Sequence, residues 1–206
     1  MFEVLAGRDA LACARAYTKT LGWPVTRGHR YRPRAGCTCR DTTDAPCPTP
    51  GAHPVTGPPA EERDDDLALP GASLIAPTLA FDIVIAPSRV GMAAMVSLDR
   101  ETRVPCAVTR DEAALFTQAG TGRYAIDALT STCLVVRTGP EGWVALPPSH
   151  GVRWDTPPWD EASGAALPLP HGGRLHAHFT KAVRLAGTEA EAVAPHRVKL
   201  RPHPCP

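Results

Sequence analysis

Residues 79–101, LAFDIVIAPSRVGMAAMVSLDRE, decide the fold class. Their first part, LAFDIVIA (79–86), is a run of apolar and β-branched residues that is typical of a buried strand. The part after Pro87, residues 88–101, has helical spacing of its apolar residues, with Ser88 as a natural N-cap. The stretch therefore predicts a strand that leads directly into a helix.

Four further strands are predicted downstream of this unit. They are VPCAV (104–108), AALFTQ (113–118), TCLVVRT (132–138) and GWVALP (142–147). Residues 138–142, TGPEG, are predicted to form a turn that joins the last two of them. A strand, a helix and then a series of strands indicates an α+β domain with a mixed or mostly antiparallel sheet.

One predicted helix precedes this sheet and another follows it. DALACARAYTKTL (9–21) has Asp9 at its start and Gly22 where a C-terminal glycine belongs. RLHAHFTKAVRLA (174–186) is amphipathic, with its apolar side chains on one face. Residues 188–206 are predicted to form a loose tail that contains Arg197, Lys199 and Arg201.

Composition bounds the class of protein. The chain has 206 residues, which is enough for one domain or one domain with a small appendage. Its net charge of +1 provides no global attraction to nucleic acid or to a membrane, so such a partner must meet a local patch. With no apolar run near the ~18 residues of a membrane span and no signal peptide, we expect a soluble, cytoplasmic protein without membrane contact.

A cluster of cysteines gives the sharpest chemical signal. Cys37, Cys39, Cys47 and His53 form the pattern C-x-C-x7-C-x5-H in a segment without periodic structure, residues 27–78. Three thiolates and one imidazole suit tetrahedral Zn²⁺, and four protein ligands leave no open position, so the expected role is structural. Two alternatives stay open: free surface cysteines beside a histidine, and a redox pair of Cys37 with Cys39.

Several segments in a fixed order resemble a known family. They are LGWPV (21–25), the cysteine cluster ending in PGAHPV (50–55), FDIVIAP (81–87), Gly91 in a helix, and GWVALPPSHGVRW (142–154). Over residues 9–158 the chain resembles the bifunctional DNA primase/polymerase N-terminal (prim-pol) domain of the archaeo-eukaryotic primase superfamily, in its small stand-alone form. The resemblance implies a primase-like α+β fold, in which an RRM-like sheet with flanking helices lies beside a zinc-bearing loop.

The resemblance also implies nucleotidyl transfer with two Mg²⁺ or Mn²⁺ ions, which an acidic pair on the strand before Pro87 would hold. The corresponding positions here are Val84 and Ala86, and the strand 113–118 carries no histidine. Apolar side chains cannot hold divalent cations. We therefore expect a degenerate, catalytically silent domain. An active enzyme remains the alternative, and its candidate acids would be Asp82, Asp111 and Asp127, with Glu112 beside Asp111.

Two sets of residues are candidates for contact with nucleic acid. Arg153 and Trp154 offer charge and a stacking ring, although a core tryptophan with an arginine at its rim is the simpler explanation. Arg174, Lys181 and Arg184 offer a stripe of phosphate contacts, for which the alternative is the solvent face of an amphipathic helix.

These features predict three regions and a binding function. Residues 1–160 are expected to form the prim-pol-like domain with a zinc loop at 36–54, residues 161–187 a C-terminal helical extension, and residues 188–206 a flexible tail. The expected function is that of a zinc-containing regulatory protein that binds nucleic acid, a nucleotide or a protein. The alternatives are the active primase/polymerase and a protein-interaction module that docks through the zinc loop and the tail.

Overall fold

The structure is a computed structural model that describes residues 5, 7–41, 46–55 and 64–193, without the side chains of residues 64, 65 and 188–193. The four α-helices in this part of the chain are α1 (Ala10–Ala16), α2 (Asp64–Leu67), α3 (Ser88–Leu98) and α4 (Gly173–Val193). Short 3-10 turns occur at Thr38–Asp41, Gly122–Ala125 and Thr130–Thr132. Across these ranges no helix is both long and apolar enough to cross a membrane.

The main sheet is built around one long strand. In chain order its strands are β1 (Thr26–Gly28), β4 (Ser73–Pro87), β5 (Cys106–Val108), β6 (Glu112–Gln118), β7 (Val135–Leu146) and β8 (Arg153–Thr156). β4 pairs with β1 and β6 along one edge and with β7 along the other, and β5 and β8 extend the sheet beyond β6. All of these pairings are antiparallel, and a separate small hairpin joins β2 (Tyr31–Arg32) to β3 (Gly36–Cys37).

The two faces of the sheet carry two separate apolar layers. Because side chains alternate along a strand, Ile83 and Ile85 of β4 lie on one face and Val84 and Ala86 on the other. The first face packs against α1 and a cluster of aromatic rings that includes Trp23. The second face packs against α3 and α4. The predicted α+β class with flanking helices is confirmed.

The first helix follows its sequence signals closely. The Asp9 carboxylate accepts a hydrogen bond from the backbone N–H of Ala12 at 3.0 Å, which caps α1. The helix continues through a π-helical turn, Tyr17–Leu21, and ends at Gly22, whose φ of 67° is the left-handed conformation that glycine tolerates best. The predicted helix over residues 9–21 is therefore confirmed.

The other two long helices differ from prediction at their ends. α3 stops at Leu98 rather than at residue 101, and its N-cap is Pro87 rather than Ser88. α4 extends to Val193, so residues 188–193 are helical and not part of a loose tail. The α4 face predicted to be apolar is buried in the same layer as α3. Arg197, Lys199 and Arg201 lie outside the described residues.

Two predicted strand boundaries are wrong because long-range pairing overrides local breakers. β4 begins at Ser73 instead of residue 79 and runs through Pro77, which sits where the register with β7 shifts. The turn predicted at 138–142 is a bulge within the single strand β7. Gly139 and Trp143 pair with the consecutive residues Thr78 and Pro77, so the chain continues in the same direction.

Candidate metal centre and adjoining cleft

The cysteine-bearing loop is tied to the edge of the sheet by its backbone. The N–H of His29 donates to the carbonyl of His53 at 2.9 Å, and an isolated bridge pairs Gly28 with Pro54. The N–H of Thr38 donates to the carbonyl of Arg30 at 2.9 Å. These bonds bring the two halves of the loop together beside β1, although the halves are separated in the sequence.

The four predicted ligands converge on one point. Cys37 ends β3, Cys39 lies in the following 3-10 turn, and Cys47 and His53 come from the second half of the loop. Their ligand atoms all lie within 4.8 Å of one another, and the Sγ atoms of Cys37 and Cys47 are each 3.3 Å from His53 Nε2. Donors that each lie about 2.0–2.3 Å from one Zn²⁺ ion are spaced in this way.

Neighbouring groups prepare these side chains to bind a metal. His53 Nδ1 lies 3.2 Å from the Pro54 carbonyl, which can only accept, so Nδ1 carries the proton and Nε2 is left for a metal. The Gly51 N–H donates to Cys37 Sγ at 3.3 Å. Burial raises the pKa of the Cys37 thiol, but hydrogen bonds from the Cys39 and Gly51 N–H groups, together with those from the His53 and Cys39 side chains, lower it to about 7.

This donor set fits a structural zinc ion. Burial raises the pKa of Cys39 to about 12 when no metal is present, and a bound cation would reverse that preference because it binds the thiolate. Cys37 and Cys39 are buried, unlike free surface cysteines. The predicted ligands are therefore confirmed as a group close enough to hold one metal ion, compatible with zinc.

A cleft of about 590 Å³ opens beside this loop, on the sheet face that also carries α1. Its floor contains Ile85 of β4, Ala107 of β5 and Ala114 of β6. Residues 48–50 and 52 of the metal loop form one wall. The exposed residues 109–112, which connect β5 to the start of β6, form the rim.

Tight packing joins the metal loop to the cleft. Gly51 has a φ of 68°, and a Cβ at this position would lie 2.6 Å from Tyr31 Cβ. The Tyr31 ring stacks on His150, a cleft residue, with the ring centroids 3.6 Å apart. Any other residue at position 51 would clash with Tyr31 and His150 and strain the backbone.

Arg137 is the half-buried cation of the cleft. Its Nη1 donates to the Trp143 carbonyl at 2.9 Å, and its guanidinium lies 4.3 Å from the centroid of the Trp143 ring. Burial lowers the pKa of Arg137, and the negative charge of Glu112 partly opposes this shift. Within the part of the chain that the structure describes, no carboxylate forms an ion pair with it.

The candidate catalytic acids lie at different places. Asp82 is buried on the α3–α4 face, where its carboxylate accepts from the Gly122 N–H at 2.8 Å and from Thr138 Oγ1 at 2.7 Å. On β4, Asp82 pairs with Thr117 and Pro87 pairs with Glu112. Five residues of extended strand therefore separate Asp82 from the end that carries Glu112, or about 17 Å.

Asp127 is engaged elsewhere, beside α4. Its carboxylate accepts from the Thr130 N–H at 2.8 Å and lies 3.1 Å from His176 Nε2. Chiefly through the Thr130 N–H, these contacts lower the pKa of Asp127 to about 2. Among residues 5, 7–41, 46–55 and 64–193, the metal loop is the only place where three or more His, Cys, Asp or Glu side chains could share one ion.

The positions at which the resemblance expects acids are apolar and covered. Val84 and Ala86 are fully buried beneath α3 and α4 rather than facing the cleft. The residues of β4 on the cleft side of the sheet, Ile83 and Ile85, are apolar as well. Neither face of β4 therefore offers a carboxylate pair beside Pro87.

The nucleic-acid candidates also separate into two groups. The half-buried Trp154 donates from Nε1 to the Tyr17 hydroxyl at 3.1 Å, and its ring packs against Phe116 with the centroids 5.4 Å apart. That ring belongs to the core, with Arg153 exposed on β8 beside it. By contrast, Arg174 and Lys181 line a pocket of about 370 Å³ between α3 and α4, and Lys181 and Arg184 line a neighbouring one of about 430 Å³.

Comparisons of the chain with protein-family models, with curated proteins and with solved structures return no match. The metal ligands were found from sequence because all four lie within one short segment. The cleft was not, because its floor comes from three strands and its walls from two further segments. Parts of the cleft lie in segments that the sequence had singled out, Pro50 and Ala52 in 50–55 and Trp143, His150 and Val152 in 142–154, but no motif joined them.

Proposed function

We propose that the protein is a zinc-containing, prim-pol-like domain that lacks nucleotidyl transfer activity and binds single-stranded nucleic acid in a regulatory role. The observation that supports the lack of nucleotidyl transfer activity is the separation of the candidate acids. Two-metal catalysis requires carboxylates that hold two cations about 3.5–4 Å apart. Asp82 and Glu112 are separated by most of the length of β6, and Asp127 is bound to Thr130 and His176.

The zinc ion has a structural role in this proposal. Three cysteines and one histidine fill a tetrahedral shell, so no position is left for a water or a substrate. Residues 38–41 and 46–55, the described part of the loop between β3 and α2, contribute no side chain to either apolar layer. A metal would supply the folding free energy that this segment does not obtain from a core of its own.

The binding surface in this proposal is the solvent face of α4, which we call the α4 basic face and define as Arg174, Lys181 and Arg184. No acidic residue occurs in the sequence from 173 to 187. Glu101, which lies in the turn after α3, is 3.4 Å from His178 of α4. A polyanion would therefore meet cations along nearly three turns of the helix.

Primer synthesis and primer extension should stay at background with either Mg²⁺ or Mn²⁺, because no described site can hold two catalytic ions. The measurement is template-dependent extension of a labelled primer by the purified protein, beside Asp82→Asn and Asp111→Asn variants. All three proteins should give the same background. Extension by the wild-type protein that disappears in either variant would establish the active enzyme instead.

Binding of single-stranded DNA should weaken steeply with salt. Three phosphate contacts predict a log–log slope of about −2, and the double change Lys181→Ala/Arg184→Ala should reduce its magnitude by about 1.4. The measurement is fluorescence anisotropy of a labelled oligonucleotide over a range of salt concentrations. Arg8→Ala/Arg89→Ala is a matched control, because it removes two exposed arginines outside α4.

The same titration tests the choice of surface. Equal loss of affinity in both double variants would indicate only a general effect of charge. Binding that responds neither to salt nor to the α4 change would identify the α4 basic face as an ordinary solvated helix face. That result would favour the protein-interaction module over a nucleic-acid partner.

A further inference from the structure

The cleft beside the metal loop has a flat, apolar floor. Ala107 pairs with Ala114 across β5 and β6, and Ala114 pairs with Ile85 across β6 and β4. These three side chains therefore lie in a row across three adjacent strands, which spans about 10 Å. Further along the same face, Phe116 carries a large ring into the aromatic cluster. The change from aromatic residues to alanine is what opens the cleft.

The shape of the cleft suits a planar ligand. Alanine side chains form much of its floor, and the conformationally restricted Trp143, Pro48 and Pro50 line it as well. Its volume of about 590 Å³ lies within the range of small-molecule sites, roughly 300–1,000 Å³. A ring laid on the alanine floor would contact apolar atoms on several sides without moving the backbone.

The charged groups of the cleft differ in how far they are exposed to solvent. Arg110, Asp111 and Glu112 are exposed at the rim, where water screens them. Arg137 is half-buried, its guanidinium carbon lies 4.3 Å from the centroid of the Trp143 ring, and its Nη1 donates to the Trp143 carbonyl. Among the described residues its remaining donors form no ion pair, and the carboxylate that attracts it, Glu112, lies at the exposed rim. An anionic group on the ligand would complete this arrangement.

We propose that this cleft is a binding site for a compact aromatic anion, with the ring on Ala107 and Ala114 and the anionic group on Arg137. The site lies on the opposite face of the sheet from the α4 basic face and is independent of it. Aromatic carboxylates and nucleoside monophosphates share the required chemistry. The two classes are separated by experiment.

The probe is anilinonaphthalene sulfonate, a fluorescent aromatic anion, titrated into the full chain with its metal bound. Its affinity should fall at least about tenfold in Ala114→Leu, because the larger side chain occupies the floor of the cleft. Ala80→Leu is the matched control, since Ala80 is an exposed residue of β4, the strand that pairs with β6. If Ala114→Leu lowers the unfolding midpoint, the smaller change Ala107→Val replaces it.

Charge is tested separately from shape. Arg137→Gln should weaken the binding of the sulfonate about tenfold and leave the neutral probe phenylnaphthylamine unchanged, whereas Arg153→Gln should change neither. Displacement of the sulfonate by indole carboxylate or by thymidine monophosphate supports the site and identifies the class. Sulfonate affinity that is the same in Ala114→Leu, Arg137→Gln and the wild-type protein overturns the proposal, as does displacement by neither competitor at millimolar concentration.

Discussion

Cys39→Ser is expected to abolish metal binding and to unfold the cysteine-bearing loop. Cys39 is a buried member of a four-ligand cluster, and serine is a poor zinc ligand. The free energy of binding a structural zinc ion is folding free energy, and loss of a metal is one of the few changes that cost more than about 4 kcal/mol. Zinc content, about one ion per chain in the wild-type protein, should fall to a small fraction.

Elemental analysis and thermal unfolding of the same samples measure both effects. Cys133→Ser is the matched control, because Cys133 is a half-buried cysteine outside the cluster and its substitution should leave the zinc content unchanged. Wild-type protein that contains no zinc after purification without a chelator would contradict the prediction at its root.

Trp23→Ala should lower the free energy of unfolding by about 3–5 kcal/mol, because it removes a large ring from the centre of the first apolar layer. Trp23 is buried and lies parallel to Phe116 with the ring centroids 5.1 Å apart. It also contacts Phe81, at 4.7 Å between centroids. Unfolding by urea, followed by circular dichroism, measures the change.

Leu79→Ala provides the comparison for this core substitution. Leu79 belongs to β4, and 56% of its surface is exposed, so its truncation should cost no more than about 0.5 kcal/mol. Similar losses in the two variants would mean that the aromatic cluster does not carry the stability assigned to it. In that case Trp23 would have to be explained by a role other than packing.

Local sequence signals predicted the elements whose ends are fixed locally. α1 has a capping acid at Asp9 and a left-handed glycine at Gly22, and both act within a few residues. Pro77 and the segment 138–142 are equally good local signals, for a strand boundary and for a turn. The structure overrides both because pairing between β4 and β7 extends on either side of the irregularity.

The candidate sites divide in the same way. Cys37, Cys39, Cys47 and His53 could be predicted because all four lie within 17 residues. A segment this short can bring its own side chains together around one ion. The three acids could not be placed, because sequence does not show which face or which end of a strand a residue occupies. Asp82 lies on the buried helical side, and a shift by a single residue would have placed it on the cleft side.

The wall of the cleft lies between two metal ligands in the chain. Cys47 and His53 bracket residues 48–52, and the Gly51 N–H reaches the sulfur of a third ligand, Cys37. A molecule that packs against this wall and an ion bound by the four ligands would therefore both favour the same conformation of residues 48–52. By thermodynamic reciprocity, the factor by which the ion strengthens binding in the cleft equals the factor by which the cleft's occupant tightens the ion. Chelators would then act as competitors of a ligand that they never touch.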